Sequence, residues 1–183
     1  MSMTNIDKNK IPTKFLWVDL EMTGLDTDKH RIIEVGAEIT DVNFKTLATY
    51  EAVISQDDEV LDAMHDWSRQ QHSASGLLER VKTEGRSEKD VIHEIIGFIK
   101  AQFGSEPAVL AGNSIHNDRR FITAQWPEVE ELLHYRMLDV SSFKLVMQSK
   151  YGLKFTKKEE HRAFDDIQAS IAELQYYLQA LKG

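Results

Sequence analysis

The sequence predicts an α/β fold, a mixed five-stranded sheet with helices on both faces. Three observations predict it. The stretch 15–21 is rich in aromatic and branched apolar side chains, which indicates a strand buried on both faces in the middle of a sheet. Three strand patterns come first, and helical patterns then alternate with two more strands. The last helix has an apolar stripe that can pack onto the sheet.

The first three strands are predicted over 15–21, 31–40 and 44–54. The links between them are short and polar, which indicates an antiparallel meander. Residues 59–82 have apolar side chains at helical spacing with a break at 73–76, which predicts two short helices.

Ser87 followed by Asp90 is a weaker form of the capping box and predicts a helix that ends at Gly104. Residues 107–112 then form a short buried strand. The remaining predicted elements are a helix carrying Phe121 and Ile122, a short helix from Pro127, a strand over 135–140, a helix from Ser141 to Tyr151 and a final helix from about Arg162 to Lys182.

Length and composition indicate one domain. A chain of 183 residues with 42% hydrophobic content is enough for one well-packed α/β domain. We expect that domain over 14–183, after a disordered tail over 1–13.

The sequence has no cysteine, so any metal must be held by oxygen or imidazole nitrogen, which favours magnesium or manganese.

Charge and hydropathy narrow the class of partner. The net charge of −8 argues against binding to long nucleic acid through many phosphates, but it leaves room for a small phosphate-bearing ligand. The first ten residues are polar and carry no targeting pattern, and no apolar run is long enough to cross a bilayer. We therefore expect a soluble, cytoplasmic protein with no membrane association.

Asp19 and Glu21 are the first candidate functional pair. They are two residues apart, so alternation along a strand puts both carboxylates on one side of the first strand, at its carboxyl end. Two such charges repel each other unless a cation joins them, and a divalent cation with oxygen ligands meets that need. The alternative is that both carboxylates are solvated in a loop.

Two more acids fall where α/β sheets open their ligand crevice. Asp118 follows a predicted strand in the first turn of a helix, where it could also merely complement the helix dipole. In the last helix, at about 100° per residue, Asp166 lies roughly 105° from the centre of the apolar stripe and Asp165 roughly 155°. Asp166 is therefore predicted to face the sheet and Asp165 the solvent. His161 can face the same crevice or be an ordinary surface imidazole.

Taken together, the four acids suggest a two-metal site for phosphoryl transfer. Asp19, Glu21, Asp118 and Asp166 would hold two magnesium or manganese ions about 3.5–4 Å apart. His161 would take the proton of the attacking water, so activity should rise as the pH passes its pKa.

These residues carry a family resemblance that covers nearly the whole chain after Lys14. The chain resembles oligoribonuclease, of the DEDDh exonuclease superfamily, which is defined by four acids and a histidine. Asp19 and Glu21 match the Asp-x-Glu motif, Asp118 the second motif, and His161 with Asp166 the His-x4-Asp motif. Flanking segments narrow the resemblance from the superfamily to oligoribonuclease. They are Asp19-Leu-Glu-Met-Thr-Gly-Leu-Asp26, Ala74-Ser-Gly-Leu77, Gly112-Asn-Ser114, Asp118-Arg-Arg-Phe121 and Leu138-Asp-Val140.

The resemblance implies a ribonuclease H-like fold and a homodimeric 3′-to-5′ exoribonuclease. Its substrates would be short oligoribonucleotides, including dinucleotides, which it would degrade to mononucleotides. By the same resemblance, Leu25 matches a residue that wedges between two bases, and Trp67 an aromatic near the 3′ base. His72, Ser114 and Arg136 match residues that cap the 5′ phosphate, and Tyr135 one contributed by the partner subunit. From the residues alone, Leu25 and Trp67 could equally be core and Arg136 a surface cation.

The sequence departs from the family pattern at two places. His116-Asn117 stands where the family has Gly-Gln, and Met137 where a tyrosine is common.

Two other functions remain open: a DNA 3′ exonuclease of the same superfamily, and a non-catalytic module that binds dinucleotides. The full set of acids together with His161 argues against the second.

Overall fold

A computed structural model of the chain describes residues 11–156 and 162–181, which contain five strands and eight helices. The strands are β1 (Lys14–Met22), β2 (Ile32–Asp41), β3 (Thr46–Val53), β4 (Ala108–Gly112) and β5 (Leu133–Asp139). The helices are α1 (Asp58–Asp62), α2 (Asp66–Ala74), α3 (Leu77–Thr83), α4 (Glu88–Phe103), α5 (His116–Gln125), α6 (Pro127–Glu130), α7 (Val140–Tyr151) and α8 (Ala163–Ala180).

The strands form one mixed sheet in the order β3-β2-β1-β4-β5. β1 pairs antiparallel with β2 and β2 with β3, whereas β4 lies parallel to β1 and β5 parallel to β4. The predicted antiparallel meander and the predicted five-stranded mixed sheet are therefore confirmed. β1 is the central strand, as its apolar sequence predicts.

Helices cover both faces of the sheet, which confirms the rest of the predicted fold class. Alternation along β1 sends its side chains to two separate cores. Leu16 and Val18 face one core, which contains apolar side chains of α4, α5 and α6. Trp17 is fully buried in the other core, together with Ile167 and Ile171 of α8. Asp19 and Glu21 follow Trp17 at period 2, so their carboxylates lie on the α8 side.

The start of α8 lies directly against β2. A Cβ atom added at Gly36 would lie 3.0 Å from both the carbonyl carbon and the Cβ of Ala163, so any larger residue would push the helix start away from the strand by a few tenths of an ångström. Farther along α8, the side chains of Ile167, Ile171 and Leu174 are buried. Full burial of such a side chain contributes roughly 1.5–3 kcal/mol, which holds the helix firmly on the sheet.

Two predicted boundaries are wrong in the first half of the chain. Residues 59–82 form three helices rather than two, because the chain also breaks at 63–65. His65 donates its backbone N–H to the Thr23 carbonyl, and its Nδ1 accepts from the Trp67 N–H to start α2. β3 begins at Thr46 rather than at Phe44, because Phe44 lies in a tight turn with φ of +63°.

The second half agrees more closely with the sequence. Ser87 caps α4 by accepting from the Asp90 N–H at 3.2 Å, and Gly104 ends the helix, as predicted. Val140, predicted as the end of a strand, instead begins α7. The cause is Asp139, whose side chain accepts from the Ser141 N–H at 2.9 Å and so caps that helix.

Some expectations fall on residues outside the described ranges. They concern residues 1–10 of the predicted tail, most of the polar stretch over 154–160, and His161. Within the ranges that the structure describes, no helix combines the length and the apolar character needed to cross a membrane.

Candidate active site

Three carboxylates converge at the carboxyl end of the central strand. Ligand oxygens of Asp19, Glu21 and Asp166 all lie within 4.8 Å of one another, and each side chain is partly buried. The first two come from β1 and the third from the first turn of α8. Asp165, the neighbouring acid, is exposed to solvent. The structure thus places Asp166 toward the sheet and Asp165 away from it, as the helical spacing predicts.

The donor set fits a hard divalent cation. Three partly buried carboxylates at this separation repel one another strongly, and a cation between them removes that repulsion. All the converging atoms are oxygens, the ligands that magnesium and manganese prefer. We refer to Asp19, Glu21 and Asp166 together as the acidic cluster.

Asp118 lies beside the acidic cluster, in the first turn of α5. Its side chain is 6% exposed, and its Oδ1 accepts from the Leu20 N–H at 2.9 Å. Leu20 stands between Asp19 and Glu21, so this bond fixes Asp118 against the strand segment that carries both. In the described part of the chain, Asp118 is not among the residues whose ligand oxygens all lie within 4.8 Å of one another. Its role as a fourth ligand therefore stays a prediction.

Burial controls the ionisation of Asp118. Loss of hydration raises the pKa of its carboxyl to about 7, although the Leu20 hydrogen bond acts in the opposite direction. Near neutral pH, the metal-free protein therefore holds a substantial fraction of Asp118 protonated. A cation that needs this carboxylate must displace the proton, so metal binding and protonation compete.

We predict that Asp118 makes the metal-free protein less stable as the pH rises from 5 to 8. Its pKa is higher in the folded than in the unfolded chain, so its contribution is complete below about pH 4 and is lost as pH passes about 7. Asp118→Asn keeps an acceptor for Leu20 but cannot ionise. In EDTA, the melting temperature of the variant minus that of the wild type should increase with pH. A difference that stays constant with pH would contradict the buried-charge explanation.

His72 is the histidine that the structure places next to the acidic cluster. It is 2% exposed, its Nε2 lies 2.9 Å from the Met22 carbonyl oxygen, and its Nδ1 lies 3.8 Å from Glu21 Oε2. Because a carbonyl oxygen only accepts, Nε2 carries the proton of that bond. His72 thus supports the end of β1. Its predicted contact with a 5′ phosphate stays a prediction, as does the role of His161, which is outside the described residues.

The predicted base-contacting residues are on the surface. Leu25 is 65% exposed and Trp67 is 58% exposed, so the alternative that they belong to the core is wrong. Tyr135 is 55% exposed, and the guanidinium of Arg136 lies 5.1 Å from the centre of its ring. Exposed apolar and aromatic side chains of this kind can contact the faces of bases.

Ser114 lies just after β4, in the left-handed region with φ of +50°. Its N–H donates to Asp139 Oδ1 at 3.0 Å and to Ser141 Oγ at 2.9 Å. The residue is therefore fixed against the start of α7. Its hydroxyl lies 3.0 Å from that of Ser141, so any phosphate contact at this position would involve a pair of hydroxyls.

Glu34 and Arg80 lie near the acidic cluster but were not among the candidates predicted from the sequence. Glu34 is a 3% exposed carboxylate on β2, and it is paired with Glu21 in the strand register. Arg80 donates to it from α3 at 2.7 Å. A sequence signal existed, because Glu34 and Glu38 interrupt an otherwise apolar strand at period 2, with Gly36 between them.

Comparison with known proteins identifies the family. A family model described as "Exonuclease" (RNase_T) matches residues 16–174. The oligoribonuclease of Francisella tularensis subsp. novicida is 44% identical over 170 residues, which cover 91% of this chain and 94% of the relative. That of Thiobacillus denitrificans is 43% identical over 91% of this chain and 93% of its own. The chain belongs to the oligoribonuclease family.

Solved structures show the same fold for this oligoribonuclease-family chain. Exonuclease I of E. coli in complex with a dA16 oligonucleotide matches with a TM-score of 0.67 at 14% identity. Its zinc-bound form in an ssDNA complex matches with a TM-score of 0.70 at 13% identity. The present chain covers 92% of its own length in both comparisons but only 41% and 40% of exonuclease I. At such low identity the likeness establishes the exonuclease fold, which is the predicted ribonuclease H-like class.

Family membership makes the chain a hydrolytic exoribonuclease, and exonucleases of this family depend on divalent metal ions. The acidic cluster is where the described residues offer oxygens for such an ion.

The two departures from the oligoribonuclease pattern lie together. His116 and Met137 both line a cleft of about 500 Å³ beside α5. The other lining residues are Thr27, Arg119, Arg120, Thr123 and Ala124. Arg119 is already paired with Glu130 at 2.6 Å. His116 Nδ1 lies 3.8 Å from Asp139 Oδ2, a carboxylate that is not part of the acidic cluster.

Proposed function

We propose that this chain removes mononucleotides from the 3′ end of short oligoribonucleotides, including dinucleotides, by metal-dependent phosphodiester hydrolysis. The observation that carries the proposal is the convergence of Asp19, Glu21 and Asp166 at the carboxyl end of the central strand of an exonuclease fold. Identity of 44% to a named oligoribonuclease supports the preference for short RNA.

The metal ions would be two magnesium or manganese ions held by the acidic cluster and Asp118. When bound, such ions supply Lewis acidity that activates water and stabilises the leaving 3′ oxygen. The hard oxygen donors and the absence of cysteine from the sequence support these two metals over softer ones. Asp118 would bind as the carboxylate, which requires release of the proton that burial favours.

His161 is proposed as the general base. A neutral imidazole would accept the proton of the attacking water, which limits full activity to pH values above its pKa. Its position in the sequence supports the role, because it directly precedes Arg162 at the start of α8 and is five residues from Asp166.

The exposed side chains around the site support recognition of a short substrate. Leu25 would lie between two bases and Trp67 against the 3′ base, as their exposure permits. Arg136 would contact the 5′ phosphate from the surface, and the partly buried Ser114 and the buried His72 would line the same subsite. With a net charge of −8, the chain lacks the charge needed to bind many phosphates, so a closed pocket for few nucleotides agrees better with its composition.

The functional unit is proposed to be a homodimer in the cytoplasm. Tyr135 on β5 is 55% exposed and would reach the active site of the partner subunit. β5 is an edge strand of the sheet, a place where a second chain can approach.

Turnover should fall as the substrate becomes longer and as ribose is replaced by deoxyribose. We predict that a 5′-labelled diribonucleotide is hydrolysed faster than a 24-nucleotide RNA of the same base composition, because a cap on the 5′ phosphate rejects longer chains. The matched deoxydinucleotide should be a poorer substrate. Initial rates at equal concentration measure both effects.

Each other outcome points to a different function. Faster hydrolysis of the deoxydinucleotide would indicate a DNA 3′ exonuclease. A preference for the long RNA would contradict the closed pocket. Binding of the diribonucleotide with no cleavage in the presence of either metal would indicate a non-catalytic binding module.

A further inference from the structure

Glu34 is a buried carboxylate next to the acidic cluster. The register of β1 and β2 places Glu34 opposite Glu21 and Gly36 opposite Asp19, so all four positions share the face that α8 covers. Two carboxylates directly opposite each other on neighbouring strands destabilise a sheet unless charge is compensated. Glu34 must therefore have strong partners of its own.

Two arginines provide that compensation. Arg80 Nη1 of α3 donates to Glu34 Oε1 at 2.7 Å, and Arg162 Nε lies 3.7 Å from the same oxygen. The Glu34 side chain is only 4% exposed, so these charges interact with little screening by water. Arg80 also pairs with Glu84 at 2.9 Å, on the solvent side of α3, where Glu84 is 59% exposed.

The second oxygen of Glu34 is directed to the start of α8. Oε2 accepts from the Ala163 N–H at 3.4 Å. The helix needs such a partner, because its N-cap residue, Arg162, makes no side-chain capping bond. A carboxylate near a helix N-terminus is also favoured by the helix dipole. Glu34 thus caps α8 from a neighbouring strand.

The capped turn is the one that carries Asp166. Asp166 donates its backbone N–H to the Arg162 carbonyl at 3.0 Å, which closes the first turn of the helix. The Gly36 contact with Ala163 sets how closely this turn approaches β2. The position of the Asp166 carboxylate relative to Asp19 and Glu21 therefore depends on how Glu34 holds the helix start.

We propose that Glu34 and Arg80 are positioning residues that hold Asp166 in place for a divalent cation. Both oxygens of Glu34 are already used by Arg80 and Ala163, which favours this role over that of an additional metal ligand. The inference rests on the proposed function in one respect, namely that Asp166 is a metal ligand.

Calorimetric titration with Mn²⁺ alone tests the proposal without substrate. We expect Glu34→Gln and Arg80→Met each to weaken Mn²⁺ binding about 10–100-fold, the range typical of residues that orient metal ligands. Arg80→Lys, which keeps the charge, should restore part of the affinity. Glu84→Gln removes the exposed partner of Arg80 and should leave the affinity unchanged. Melting curves in EDTA establish that each variant is folded.

Kinetics supply a second readout. At saturating Mn²⁺, Glu34→Gln and Arg80→Met should recover kcat to within a few-fold of the wild type, with KM for a diribonucleotide unchanged. If Glu34→Gln does not fold, Arg80→Met decides the question, because the Arg80 side chain is 27% exposed and tolerates replacement better.

Three results with the variants would overturn the proposal. The first is unchanged Mn²⁺ affinity in both Glu34→Gln and Arg80→Met, and the second is an equal loss of affinity in Glu84→Gln. The third is complete loss of Mn²⁺ binding in Glu34→Gln, as expected for Asp19→Asn, because that result would make Glu34 a metal ligand. If the wild type binds Mn²⁺ but hydrolyses no RNA, the proposed function is wrong. The Mn²⁺ titrations of the variants then still test whether Glu34 and Arg80 are positioning residues. No Mn²⁺ binding by the wild type would overturn both.

Discussion

Asp166→Asn is expected to lower kcat on a diribonucleotide by about 10³-fold or more, because an active-site metal contributes several kcal/mol of transition-state stabilisation and each 1.36 kcal/mol is tenfold in rate. Asp166 is one of three carboxylates whose oxygens lie within 4.8 Å of one another. Asparagine keeps the size of the side chain but removes the charge that holds a cation. Initial rates at saturating substrate and metal measure the effect.

Asp165→Asn is the matched control. It makes the same chemical change one residue earlier in α8, on a side chain exposed to solvent. We expect kcat to stay within a few-fold of the wild type. Equal damage in the two variants, or greater damage at Asp165, would show that the assignment of helix faces has no bearing on function.

His161→Ala is expected to lower kcat by roughly 10²-fold or more, the contribution typical of a general base. The wild-type rate should rise with pH as the imidazole of His161 loses its proton, and the variant should lose this part of the profile. Mn²⁺ affinity should remain close to that of the wild type, because His161 is not among the proposed ligands. Pre-steady-state rates across pH 5.5–8.5 separate this step from product release.

His116→Ala is a control for a histidine near Asp118 that stands where the oligoribonuclease pattern has glycine. His116 is 59% exposed and lies near Asp139 rather than in the acidic cluster. Its loss should leave the pH profile of kcat intact. Near-normal turnover in His161→Ala, or loss of the pH dependence in His116→Ala, would show that His161 is not the general base.

The parts of the fold that follow local periodicity were predictable from the sequence. The apolar character of residues 15–21 predicts the central strand, and the spacing of apolar residues in α8 places Asp166 toward the sheet. The break at 63–65 was not predictable, because it depends on a hydrogen bond from His65 to Thr23, a residue some forty positions away. The same limit applies to β3, where Phe44 lies in a turn with φ of +63° and the strand begins two residues later than the pattern suggests.

The candidate site divides in the same way. Asp19 and Glu21 could be paired from period 2 alone, whereas the burial of Asp118 against the Leu20 N–H depends on how α5 packs beside β1. Glu34 carried a usable signal as an acid inside an apolar strand. Its partners could not be inferred, because Arg80 and Ala163 come from two helices, far from Glu34 in the sequence, that reach it only in the folded chain.

The role of the acidic cluster as a metal site can be tested by metal-dependent hydrolysis of a diribonucleotide. Purified protein is incubated with the 5′-labelled substrate in Mg²⁺, in Mn²⁺ and in EDTA, with Asp166→Asn in parallel. We expect conversion to mononucleotides by the wild type with either metal, and almost none in EDTA or with the variant. Equal cleavage in EDTA, or by Asp166→Asn, would contradict a metal site built on the acidic cluster.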